Sequence, residues 1–236
     1  MTKTPGTFGP IRAVCFDAAG TLLHLAEPVP RTYARVALAH GVAVDAQTIA
    51  RRFPDAFAVA WSGPRMQGDG RPFWRHVVTA CTGSDDTALF EALYAHYAAP
   101  LAWRVEPGTV DALARLRAWG CGVALLSNWD TRLGRLLDAL DLSMHFDFIG
   151  VSGALGVEKP DARAFALVAN GLGLPVSALL HTGDSQRSDV AGARAAGARA
   201  IRWVGFPGVF GALLADGAPA IRAAAAAALG AGSGRH

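Results

Sequence analysis

Six polar side chains stand where apolar stretches of this sequence end. Asp17 closes the apolar run 11–16, Ser127 and Asn128 follow the run 121–126, and Asp184 lies just beyond the run 178–181. Lys159 sits in a loop flanked by glycine and proline after the run 146–151, and Asp189 follows Asp184 at the start of a helical pattern. Carboxylates on neighbouring loop ends suit a hard cation that takes oxygen ligands, and an ammonium beside them suits a phosphoryl dianion. If these groups meet in one crevice, with the serine hydroxyl among them, the chemistry they suit is phosphoryl transfer.

They can meet only if the apolar runs are strands that end at a common edge. The four runs, with a fifth at 200–204, are short enough for strands, and helical patterns at 110–119, 131–140, 162–172 and 189–196 lie between them. Strands alternating with helices imply a right-handed, doubly wound, Rossmann-like α/β core with a parallel sheet, whose ligands gather beyond the carboxyl ends of the strands. Gly20 and Thr21 give the chain freedom to turn sharply after Asp17.

Residues 28–103 break the alternation. Helical patterns at 31–40, 46–60, 72–81 and 87–97 follow one another with no convincing strand, joined by Gly/Pro/Asp-rich loops at 62–71 and 82–86. The reading is an all-helical cap domain, 28–103, inserted into an α/β core domain made of 1–27 and 104–236. The aromatic residues Trp61, Phe73, Trp74, Tyr94 and Tyr97 read mainly as cap core, some of them flooring a pocket. After Pro219 the chain is alanine-rich and then Gly/Ser-rich, which predicts a weak helix that frays.

Composition narrows the class. The 236 residues are 52% hydrophobic and 17% charged, the balance of a compact soluble globule and not of a disordered chain. The net charge is only +3 and the basic residues are scattered, so the pI near 9.0 names no nucleic-acid partner. No apolar run of about 18 residues free of charge occurs, and no leader pattern, so no membrane partner and a cytoplasmic location are expected. Cys15, Cys81 and Cys121 have neither zinc nor redox spacing and read as free buried thiols. Oligomeric state is left open.

Segment 16–23 (FDAAGTLL), the triplet Leu126-Ser127-Asn128, the tetrad Glu158-Lys159-Pro160-Asp161 and segment 183–193 (GDSQRSDVAGA) occur in this order. Together they resemble the four motifs of the haloacid dehalogenase-like superfamily, and the helical insert resembles its cap placed between the first two motifs. The resemblance implies a hydrolase acting on a small phosphorylated molecule. Asp17 would be the nucleophile that forms an aspartyl-phosphate, Ser127 a donor to a phosphoryl oxygen, and Lys159 the cation that neutralises both. Asn128, Gly20 and Thr21 would contact substrate. Mg²⁺ would sit on Asp17, the Ala19 carbonyl and Asp184, with Asp189 a more distant or water-mediated partner. Without these motifs Asp17 alone would read as a turn former, Ser127-Asn128 as a helix cap, and His181 as a packed histidine; Trp129 and Asp130 read equally as helix start or crevice lining.

Position 19 departs from the pattern. In phosphatases of the superfamily an aspartate there protonates the leaving oxygen and then activates water, which Ala19 cannot do. Either the leaving group needs no proton, or His24, His76 or His96 supplies one, or the chain is a catalytically silent protein that binds Mg²⁺ and a phosphoryl ligand. Phosphonoacetaldehyde hydrolases share the Asp-x-Ala-Gly-Thr form but need a cap lysine, and none stands between Lys3 and Lys159. A 2-haloacid dehalogenase, metal-free with an aromatic residue at this position, ranks third.

Overall fold

The computed structural model describes residues 9–62 and 64–232. The chain enters through β1 (Ala13–Phe16), every residue of which is buried, as a central strand covered on both faces requires. It then makes β2 (Leu23–Leu25) and four helices, α1 (Val29–Ala39), α2 (Ala46–Ala58), α3 (Arg71–Thr82) and α4 (Thr87–Ala98), before returning through β3 (Trp103–Val105). The alternating half follows: α5 (Thr109–Ala118), β4 (Gly122–Ser127), α6 (Arg132–Ala139), β5 (Phe148–Val151), the single turn α7 (Ser152–Leu155), α8 (Ala162–Gly171) and β6 (Leu179–Gly183). A π-helical turn, Gln186–Ala191, leads into the short α9 (Gly192–Ala195), then β7 (Arg199–Arg202), α10 (Phe206–Asp216) and α11 (Pro219–Gly232).

Five strands form one parallel sheet in the order β5-β4-β1-β6-β7. Phe16 lies level with Leu125 of β4 on one side and Thr182 of β6 on the other, so the residues after these strands share one edge. Successive side chains of a strand point to opposite faces. Val14 and Phe16 accordingly join Val123 and Leu125 in one apolar cluster, while Ala13 and Cys15 join Ala124 and Leu126 in another. The helical segment has a third cluster of its own, with Phe73, Val77, Leu89 and Leu93 at its centre. Asp45 and Asp86 cap α2 and α4 by accepting the amides of Thr48 and Leu89. Cys15, Cys81 and Cys121 are free and buried. No helix among the described residues is long and apolar enough to cross a membrane.

Several elements differ from the sequence reading. β2 and β3 pair as an antiparallel ribbon where the chain leaves and re-enters the core, so Trp103 is a strand residue inside the segment expected to be all helical. Three-residue strands carry no readable period, and each is defined only by its partner. α10 was not expected; it is apolar on most sides and carries Pro207 as its second residue, so it shows neither a clear apolar stripe nor an uninterrupted helix start. β6 begins at Leu179, after a 3₁₀ turn at Val176–Ala178, and runs two residues past His181. Asp189 sits within the π turn and not at the start of a regular α-helix. Residues 1–8, including Lys3, and 233–236, part of the tail expected to fray, lie outside the described residues.

Candidate active site

The parallel register brings Asp17, Ser127, Lys159, Asp184 and Asp189 toward one edge of the sheet, and the hydrogen bonds and ion pairs there tie several of them together. Lys159 is buried, with Nζ 2.8 Å from Asp17 Oδ1 and 2.6 Å from Asp189 Oδ1. Burial would strip the ammonium of its proton, but the two carboxylates outweigh it and hold Lys159 above the usual lysine pKa. Asp189 is fully buried; its Oδ1 also lies 3.0 Å from His181 Nε2, and its Oδ2 accepts the Ser185 amide at 2.9 Å. Burial pushes the Asp189 carboxyl up, yet the His181 bond and the Lys159 charge prevail and hold it well below the ordinary carboxylate range. Burial keeps His181 below the usual histidine pKa, so the neutral ring donates to Asp189 through Nε2–H. The expected packed histidine is therefore packed and also a partner of the site, a link eight residues long that no motif spacing advertised.

Asp184 completes the acidic group. Carboxylate oxygens of Asp17, Asp184 and Asp189 lie within 4.8 Å of one another. Asp184 opens to solvent, but partial enclosure, with Asp17 and Asp189 nearby, holds its carboxyl above the usual range. The turn after Asp17 is shaped to admit it. The Ala18 carbonyl accepts the amides of Thr21, Leu22 and Leu23, and Gly20 takes the left-handed φ of 76°. A Cβ on Gly20 would stand 2.6 Å from Asp184 Oδ2, so a side chain there would be strained and would also displace the carboxylate.

The remaining expected residues divide. Ser127 is buried at the end of β4. Asn128 reaches across to the Lys159 loop: its Nδ2 donates to the Lys159 carbonyl and its Oδ1 accepts the Lys159 amide, both at 2.8 Å. Thr21 is fully buried, and its Oγ1 has no partner among the described residues.

Beside this edge lies a cavity of about 300 Å³ between cap and core. Ala19 and Asn128 belong to its wall, and the rest is almost wholly apolar, with Tyr33, Phe57, Trp74, Trp103 and Trp129 among the larger contributors. Of the aromatic residues read as cap core, Trp74, Tyr94 and Tyr97 line it, while Phe73 is buried within the cap and Trp61 packs on Phe73. Arg132 is the only charged residue in the wall among the described residues. It is bound at Nε and Nη2 to the two oxygens of fully buried Asp130, 2.8 Å each, and lies 3.6 Å above the Tyr94 ring. Asp130 also accepts Trp74 Nε1 at 2.8 Å. Trp129 thus lines the crevice, and Asp130 ties the core to the cap. None of the three histidines considered as proton donors lines the cavity: His24 pairs with Glu106 at 2.7 Å, His76 packs on Trp61 and His96 on Tyr97.

Further contacts bind cap to core. Thr131 N donates to the Gly68 carbonyl and Gly68 N to that of Gly153, both at 2.8 Å. Arg65 Nε lies 3.3 Å from Glu158, the neighbour of Lys159. Nothing in the linear spacing of Arg65 and Glu158 announced that pair.

A parallel sheet carrying carboxylates and a buried lysine at its carboxyl edge, roofed by helices inserted after the first strand, defines a capped Rossmann-like α/β protein. Residues 11–197 match the family model for haloacid dehalogenase-like hydrolases, and the chain belongs to that family. It is 33% identical to human "haloacid dehalogenase-like hydrolase domain-containing protein 3" over 207 residues, 83% of this chain and 82% of that one. It is also 33% identical to the phosphoserine phosphatase of Thermus thermophilus over 147 residues, 61% of this chain and 56% of that one. Among solved structures, the L-2-haloacid dehalogenase of Xanthobacter autotrophicus shares the fold with a TM-score of 0.61, at 23% identity, over 81% of this chain and 77% of that one.

Proposed function

We propose that this chain hydrolyses phosphate monoesters or acyl phosphates through Asp17. The observation that carries the reading is Lys159 bridging Asp17 and Asp189 with Asp184 beside them. The donor set fits Mg²⁺: three carboxylates close together offer hard oxygen ligands, and like charge already presses on Asp184. Asp17, Asp184 and the Ala19 carbonyl would hold the ion. Asp189, whose oxygens are taken by Lys159, His181 and Ser185, would reach it through water. When bound, Mg²⁺ supplies positive charge that lets a carboxylate approach a phosphoryl dianion.

In this mechanism an Asp17 oxygen attacks phosphorus, and the ester P–O bond breaks with its electron pair on the departing oxygen. Ser127 donates to a phosphoryl oxygen, and Lys159 offsets the charge of nucleophile and transferring group. Water then attacks the aspartyl-phosphate, releasing phosphate and restoring the carboxylate. Ala19 contributes no proton, which favours leaving groups that are stable as anions.

The test is phosphate release from acetyl phosphate and 4-nitrophenyl phosphate, with Mg²⁺ or with chelator, by wild type and Asp17→Asn. Release that needs Mg²⁺ and falls at least roughly 10³-fold in Asp17→Asn is expected; release that ignores either change would sink the proposal. Ala19 also favours a second reading, a silent Mg²⁺- and phosphoryl-binding or regulatory protein, for which orthophosphate would bind with Mg²⁺ and no substrate would turn over. Dehalogenation ranks third because Asp184 adds an acid that a metal-free reaction does not use; halide release from 2-chloropropionate in chelator would revive it.

A further inference from the structure

Resting on the hydrolase reading, we propose that the cap cavity holds the organic part of the substrate and that this part is an uncharged aryl group of about two rings, which makes the substrate an aryl phosphate. Two separate features lead there. The first is the cavity wall. A polar or charged group entering it would lose its water, and the wall offers little to replace that water. Its one guanidinium is already bound by both oxygens of Asp130, by the Tyr94 carbonyl at 2.6 Å and by the Tyr94 ring. A second phosphate or a carboxylate therefore finds no unpaired cation in the wall among the described residues, and an ammonium finds no unpaired carboxylate. Aromatic walls such as Tyr33, Phe57, Trp74, Trp103 and Trp129 suit ring edges and faces. A dry cavity of roughly 150 Å³ admits one benzene, so about 300 Å³ admits a two-ring group.

The second feature is Ala19, which belongs to the same wall and stands where a proton donor would be needed for a poor leaving group. An aryl oxide leaves more readily than an alkoxide because it is the weaker base. The P–O bond to the ring oxygen breaks with its electron pair on that oxygen, the phosphoryl group passes to Asp17, and the aryl oxide takes its proton from water. A methyl group at position 19 and an apolar cavity beyond it are thus compatible with one ligand class: apolar in body, acidic as its alcohol.

Binding and turnover separate this proposal from the one it rests on. Calorimetry in Mg²⁺ buffer would compare 2-naphthylmethylphosphonate with benzyl-, 4-carboxybenzyl-, octyl- and methylphosphonate, none of which can be hydrolysed at phosphorus by loss of an ester oxygen. The naphthyl compound is expected to bind roughly tenfold or more tighter than benzylphosphonate, and the carboxybenzyl compound at least roughly tenfold weaker than benzylphosphonate. Val78→Phe, which fills the cavity, is expected to erase the naphthyl advantage, although the wild-type series stands without it. A flat series, or one led by the octyl or carboxylated compound, would overturn the aryl assignment even if acetyl phosphate is turned over. The expected binding order with no turnover of any phosphate would keep the assignment and remove the hydrolase reading.

Discussion

At the carboxyl edge of the sheet, four ionisable groups are buried in one chain of contacts, Asp17 to Lys159 to Asp189 to His181; the cap cavity beside them has, among the described residues, one charged residue in its wall, already paired to Asp130. The two regions handle charge in opposite ways. The edge concentrates it, with an oxygen-rich opening at Asp184, so an added cation or anion finds partners. The cavity cancels its single charge internally and presents hydrocarbon. An edge of this kind suits the part of a substrate that every phosphate ester shares, and the cavity suits the part in which esters differ.

The contrast can be broken most forcibly at Lys159. Lys159→Met leaves Asp17 and Asp189 buried without their common cation and is expected to cost about 3–5 kcal/mol of stability in urea unfolding. The lysine pKa is raised in the folded state, so its contribution is present below the unfolded pKa and is lost only in strong base. The deficit should therefore be level between about pH 6 and pH 9. A deficit under about 1 kcal/mol would mean that the edge does not depend on this charge.

Ala19→Asp tests the boundary between the regions. It is expected to raise hydrolysis of a simple alkyl phosphate by about one to three orders of magnitude, part of a general acid/base contribution. If it abolishes a wild-type activity instead, Ala19 serves another reaction. On the cavity side, Asp130→Asn frees the Arg132 guanidinium at the wall. Stability should fall by about 1–3 kcal/mol, less than at Lys159 because Arg132 keeps some access to solvent. Binding of 4-carboxybenzylphosphonate should rise relative to benzylphosphonate, and an unchanged ratio would show that Arg132 does not face the ligand.

The smallest effect is expected at Asp184. Its folded pKa is raised, so the penalty for ionising it is present at neutral pH and vanishes as pH falls below the unfolded value. Asp184→Asn should therefore stabilise the metal-free protein by less than about 1 kcal/mol at neutral pH and not at all in acid, while weakening Mg²⁺ binding. In wild type, Mg²⁺ affinity should decline on acidification sooner than for an ordinary aspartate. Calorimetry showing equal Mg²⁺ affinity in the two proteins would remove Asp184 from the metal site.

The same contrast explains what could be read from sequence. Strands buried on both faces appear as largely apolar runs, so the sheet and the polar residues at its edge were visible in Ile11 to Asp17, where only Arg12 interrupts, and in the Gly183-Asp184-Ser185 turn. The cavity was not. Its wall is assembled from one to four residues of each of several helices, and a helical Trp or Phe has the same period whether it faces a neighbour or an empty space. Asp130 illustrates the limit: from sequence it reads equally as a helix start or as crevice lining, and its enclosure with Arg132 depends on Trp74 and Tyr94 arriving from the insert. His181 was legible as buried but not as a partner, because the π turn that swings Asp189 back toward it has no sequence signature of its own.

Asn128 has a further consequence. Its amide meets both the N–H and the C=O of Lys159 as a neighbouring strand would, extending the edge of the sheet by one residue through a side chain. The ordering of that loop is therefore completed when the chain folds and is not left to the moment of ligand entry. Under the proposed function the ammonium would already be in place beside Asp17 and Asp189 when a phosphoryl group arrives.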